Sequence, residues 1–117
     1  MDIEALHDYC LSKPGATESF PFGEDTLVFK VDGKIFLLTS FSDGGKFNVK
    51  CDPERAVELR ERYSEVQPGY HMNKKHWNTV EMNGRLTDKE LYEMVDHSYQ
   101  LVAKKPKNNK TSDKASL

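Results

Sequence analysis

The chain has too few cysteines for a disulfide framework or a four-thiolate zinc site, since Cys10 and Cys51 are the only two in 117 residues. Free thiols suit a reducing compartment, so a cytoplasmic location is expected. No apolar run approaches the roughly 20 residues that cross a bilayer. The start, Met1-Asp2-Ile3-Glu4, has neither a basic n-region nor an apolar h-region, and neither membrane insertion nor secretion is expected. A Gly-rich phosphate loop is missing too: Gly44-Gly45 leads into strand-patterned sequence, without a helix opening on Lys-Ser/Thr. Nor does one sign of charge prevail, with 17 Lys+Arg against 19 Asp+Glu and a net charge of −2.

That near-neutral sum conceals an uneven distribution. The end of the chain after Val102 holds five lysines (104, 105, 107, 110, 114) against Asp113, which is +4 and leaves −6 for the rest. This end has Leu117 as its one bulky apolar residue and contains Pro106 and two asparagines. Such a composition cannot bury enough surface to offset chain entropy. The expectation is one domain over residues 1–103 and a disordered basic tail over 104–117, able to add weak, sequence-independent attraction to phosphates.

Within the domain the hydrophobic period changes several times. Ile3, Leu6 and Cys10 follow helical spacing behind an Asp2 cap, and Pro14-Gly15 closes that helix. From Asp25 the period is two: Leu27, Phe29 and Val31 share a face, and Asp32-Gly33 is a hairpin turn into the apolar strand Ile35 to Ser40. Ser42 to Gly45 turns the chain into a third strand, Lys46 to Cys51. Asp52-Pro53 opens a second helix with Ala56, Leu59 and Tyr63 inward. Pro68-Gly69 breaks the chain before a strand from Trp77 to Met82. Thr87-Asp88-Lys89-Glu90 is a capping box for a last helix, with Leu91, Met94, Val95, Ser98 and Val102 inward. This order predicts an α+β fold, an antiparallel sheet with the N- and C-terminal helices packed on one face. The other face is left to solvent and shows Lys46, Asn48 and Lys50, with Lys30 from the first strand.

The densest polar cluster is Tyr70 to Thr79, YHMNKKHWNT. Positive charge interleaved with aromatics is a mixture that holds phosphates and stacks bases. Composition equally accommodates a turn feeding a strand, with Trp77 in the core and the lysines in water. His71 and His76 are five apart, off one helical face and on opposite sides of an extended chain, so no metal site is expected of them. Cys10 falls on a buried helical stripe. Cys51 precedes a helix N-terminus, which favours a thiolate, but Asp52 beside it opposes one. No enzyme is specified, and no cofactor.

Lys13-Pro14-Gly15-Ala16, Phe20-Pro21-Phe22-Gly23, Val28-Phe29-Lys30-Val31, Lys50-Cys51-Asp52-Pro53-Glu54, Asp96-His97-Ser98-Tyr99 and, above all, Pro68 through Thr79 resemble the MmcQ/YjbR family. The resemblance spans the first helix through Val102. It implies a frataxin-like (CyaY-like) fold and a DNA-binding role for two hairpins likened to a double wing. Placed on this sequence, the wings are the Asp32-Gly33 turn and the Ser42–Gly45 loop. The resulting expectation is a non-enzymatic monomer that contacts double-stranded DNA through Lys46, Lys50, Tyr70, His71, Asn73, Lys74, Lys75 and His76, without metal or cofactor. Two other readings stand beside it. One is a binder of a metal ion, suggested by the −6 body and the acidic face Asp2, Glu4 and Asp8, or of a small anionic ligand, suggested by the clustered His, Asn, Lys and Trp of the Tyr70–Thr79 segment. The other is a protein-interaction adaptor using Tyr70 and Trp77.

Overall fold

A computed structural model describes residues 1–104; the expected tail, apart from Lys104, lies outside the described residues. The elements are α1 (Ile3–Leu11), β1 (Thr17–Ser19), β2 (Thr26–Val31), β3 (Lys34–Ser40), a short 3-10 helix (Phe41–Asp43), β4 (Lys46–Lys50), α2 (Pro53–Arg62), β5 (Val66–Pro68), β6 (Trp77–Glu81) and α3 (Asp88–Val102). The strands form one antiparallel sheet in the order β1-β2-β3-β4-β6-β5. The α+β architecture is the one the hydrophobic periods imply.

Local chemistry explains where the elements begin. The Asp2 carboxylate accepts from Ala5 N at 2.8 Å and Asp52 caps α2 ahead of Pro53, satisfying amides that have no partner within the helix. Thr87 and Glu90 close a reciprocal capping box on α3. In the β2–β3 turn Asp32 and Gly33 both take positive φ, 52° and 78°, the backbone of a hairpin whose twist matches its strands.

One face of the sheet carries Leu27, Phe29, Leu37, Phe47, Val49 and Val80, packed against Leu6 and Cys10 of α1 and Leu91, Met94, Val95 and Val102 of α3. Phe29, Phe36 and Phe47 are fully buried, each side chain contributing about 1.5–3 kcal/mol of transfer free energy. The buried Ser98 has a specific task. Its hydroxyl donates to Phe36 O and accepts from Lys50 N, bridging β3 to β4 where a register shift after Phe29 disturbs the neighbouring β2–β3 ladder. Tyr9 ties α1 to α3, stacking on Tyr92 with centroids 4.0 Å apart and donating to Asp96 at 2.7 Å.

Two strands escape the sequence pattern. β1 is three exposed polar residues, and β5 ends on a proline that an edge strand tolerates because nothing needs its missing N–H. The other face of the sheet is also less open than alternation predicts. Asn48 is 7% exposed and Val28 is fully buried. Among the described residues no helix is long and apolar enough to cross a membrane.

Candidate functional site

Adjacent hairpins of a meander point in opposite directions, and this corrects the expected wings. The Asp32-Gly33 turn precedes β3 and the Ser42–Gly45 loop follows it, so the seven residues of β3 hold them about 20 Å apart at opposite ends of the sheet. The second hairpin that shares an end with Asp32-Gly33 is the β5–β6 connection, Gly69 to His76. Register fixes this. Lys50 faces Trp77 across β4 and β6, and Cys51 N donates to His76 O at 2.7 Å just beyond that pair. β4 alone separates the two hairpins, so their midlines lie three strand spacings apart, about 14 Å.

This end of the sheet gathers much of the basic charge. Lys34 is exposed beside the first turn, and Lys30 and Lys50 are half-exposed. On the second hairpin His71, Lys74 and Lys75 are exposed and His76 is half-buried. The end of α3 arrives here too, with Lys104 N donating to Asp32 Oδ2 at 2.7 Å. The sequence that continues from this point carries Lys105, Lys107, Lys110 and Lys114.

The β5–β6 connection is held from below by a residue that sequence reading passed over. Arg60, half-buried on α2, donates its Nε to Asn78 Oδ1 at 2.7 Å and its Nη2 to Trp77 O at 3.1 Å and to Lys74 O. The fork of the guanidinium suits three acceptors spread along five residues. No local pattern could single out Arg60, because its acceptors lie 14 to 18 positions away. Asn73 builds the turn itself: its side chain accepts from Lys75 N at 2.9 Å and its carbonyl from His76 N and Trp77 N. Lys74 folds back to donate to Gly69 O at 3.0 Å. His71 adopts φ 60°, unusual away from glycine, and its ring rests on Tyr70 with centroids 4.0 Å apart.

Lys46 does not join this cluster. It sits at the far end of β4 opposite Glu81, on the rim of a groove of about 300 Å³ in the open sheet face. That groove collects Lys46, Asn48, Gln67, Tyr70, Thr79 and Glu81. Thus the eight expected site residues divide between two places, with Tyr70 at the boundary.

Other ionisable groups are committed to the fold. Glu65, nearly buried, accepts from Arg85 N, Nε and Nη2, and these bonds hold its carboxyl at about 2. His97 Nε2 accepts from Asp52 N at 3.1 Å, and burial lowers its pKa. Burial pushes the Cys10 thiol to about 12 and raises Cys51 as well, so neither has the character of an activated nucleophile. As for the acidic face of α1, Asp2 is occupied as a cap, and no three His, Cys, Asp or Glu side chains gather to hold a metal ion among the described residues.

Comparison with known proteins agrees with this fold. The YjbR family model matches residues 11–101. The uncharacterized protein YjbR of Escherichia coli K12 is 38% identical over 101 residues, 86% of each chain. The uncharacterized protein YbdF of Escherichia coli O157:H7 is 37% identical over 107 residues, 87% of this chain and 88% of that one. Among solved structures, the Deinococcus radiodurans protein DR2400, a DUF419 domain, superposes with a TM-score of 0.81 at 39% identity, covering 86% of this chain and 78% of its own. A Pseudomonas syringae crystal structure gives 0.76 at 28% identity, covering 87% and 99%.

Proposed function

The chain belongs to the YjbR family, and we propose that it is a non-enzymatic module that binds duplex DNA weakly through two hairpin ends, Lys30–Lys34 and Gly69–His76. The observation that carries this reading is their separation. Two lysine-bearing turns about 14 Å apart on one end of a rigid sheet approach the about 12 Å width of a B-DNA major groove. Each turn then meets the phosphates of one rim. The second hairpin is braced by Arg60, so little ordering cost accompanies binding. The contacts are to the backbone, which positions a protein on DNA without reading sequence.

Lys30, Lys34, Lys74 and Lys75 make about four phosphate contacts, which corresponds to a log–log salt slope of about −4 for the body. Fluorescence anisotropy with a labelled duplex at about 50 and about 200 mM salt tests this. Glutamine at Lys74 and Lys75 reduces the slope by about 2, and glutamine at Lys105, Lys107, Lys110 and Lys114 leaves the body's share in place. Absence of binding at low salt, or loss of all binding with the tail substitutions alone, contradicts the proposal.

A further inference from the structure

The groove on the open sheet face lies beside the second hairpin end and shares Tyr70 with it. Its floor is the cross-strand row Asn48, Thr79 and Gln67, which successive strand pairings place in line with Thr79 in the middle. One wall is Tyr70, 66% exposed, with its ring braced against His71. The opposite rim is the cross-strand pair Lys46 and Glu81.

Asn48 is the telling residue. Its side chain is almost wholly removed from solvent, yet only half of its amide is satisfied. Thr79 Oγ1 accepts from Tyr70 N at 2.9 Å and donates to Asn48 Oδ1. The Nδ2 group, lining the groove, has no protein acceptor among the described residues. A buried donor without a partner costs stability. Here it sits where a ligand would supply the missing acceptor. Gln67 adds a second amide, whose nitrogen is committed to Ser64 O at 2.8 Å and whose oxygen is left to accept.

We infer that this groove binds an unpaired purine base, stacked on Tyr70 and held at its edge by the Asn48 amide nitrogen and the Gln67 amide oxygen. The chemistry favours a flat, uncharged ligand that both donates and accepts. Lys46 and Glu81 cancel, and Glu65 at the far end is neutralised by Arg85. A small anion therefore gains little, whereas adenine, a flat ring with an exocyclic amine and several ring nitrogens spaced around its edge, can accept from Asn48 on one side of the Thr79 strand and donate to Gln67 on the other. Stacking on one aromatic ring is the usual means of holding a base without its partner strand. The base can belong to a free nucleoside or to a single strand.

The test is a titration of the full chain, labelled with nitrogen-15, followed by NMR at the Asn48 side-chain amide and the Thr79 backbone. Adenosine, a single-stranded adenine oligonucleotide and a blunt duplex are the three probes. Saturable movement of the Asn48 amide resonances with adenosine assigns the site to free nucleosides. Movement with the oligonucleotide alone assigns it to a base within a strand. The duplex leaves Asn48 unmoved, since its bases are paired. Asn48→Asp replaces the donor by an acceptor of the same shape and lowers affinity at least about tenfold. Tyr70→Ala, at an exposed position that the core does not need, does the same by removing the stack. No saturable shift at Asn48 up to about 5 mM of either single-base probe, or shifts that survive both substitutions, overturns the inference.

Discussion

Arg60→Met keeps the aliphatic stem that packs under the β5–β6 connection and deletes every hydrogen bond of the guanidinium. Three bonds are lost, and they are not equal. Asn78 is 1% exposed, so its Oδ1 is left buried without a partner, at a cost of about 2 kcal/mol. The Trp77 carbonyl keeps its bond from Gly69 N, and the exposed Lys74 carbonyl recovers water, so each loses about 0.5 kcal/mol. The sum is about 3 kcal/mol. For a chain of this size, with a urea m-value of about 1.5 kcal/mol/M, the midpoint falls by about 2 M while m stays constant. Arg60→Lys keeps the charge but not the fork, and loses about 2 kcal/mol. Glu61→Gln on the exposed side of the same helix stays within about 0.5 kcal/mol of the parent. Because the second hairpin loses its brace, Arg60→Met also weakens duplex binding although Arg60 touches no phosphate. A loss below about 1 kcal/mol, or a change in m rather than in midpoint, refutes the view that Arg60 shapes this hairpin.

Three further outcomes follow from the geometry. Glu65 titrates at about 2 in the fold against a reference of 4.5. The unfolded chain therefore binds the extra proton between these values, and stability is lost as pH falls from 4.5 towards 2; urea midpoints across that window show a drop that Glu65→Gln reduces. Gly69→Ala places a Cβ 2.8 Å from Trp77 Cβ and 2.9 Å from Trp77 O, and the rigid backbone there makes it cost about 1–3 kcal/mol in thermal or urea unfolding. Iodoacetamide at about pH 8 leaves Cys10 and Cys51 unmodified in the folded protein and labels both in urea, as mass spectrometry would show.

Much of the fold was readable because its signals are local. Asp52-Pro53, the Thr87–Glu90 box and Asp32-Gly33 each act within four residues, and each stands where the sequence placed it. The inner face of α3 was likewise readable, since Leu91, Met94, Val95, Ser98 and Val102 follow the helical period and all are buried. β1 and β5 were not readable: three exposed polar residues, or a strand of three ending in proline, make no alternation, and only their neighbours turn them into strands. Asn48 misled for a related reason. Alternation correctly puts it on the face opposite Phe47 and Val49, but that face is roofed locally by the groove that Tyr70, Gln67 and Thr79 form. The pairing of hairpins is topological. Consecutive turns look like natural partners in sequence, yet strand direction sends them to opposite ends, and the crossover from β4 through α2 to β5 brings the lysine-bearing loop back to the first turn. Arg60 shows the same limit, as its three acceptors meet it only once α2 has packed under the sheet edge.

The claim that two separated hairpins form one interface is tested most directly by mapping amide shifts of the full chain as a short duplex is added at low salt. The account predicts that residues 30–34 and 69–76 move together with one saturation curve, while the Ser42–Gly45 loop at the opposite end stays still. Shifts confined to the residues after Lys104, or movement of the Ser42–Gly45 loop in place of the β5–β6 connection, would contradict it.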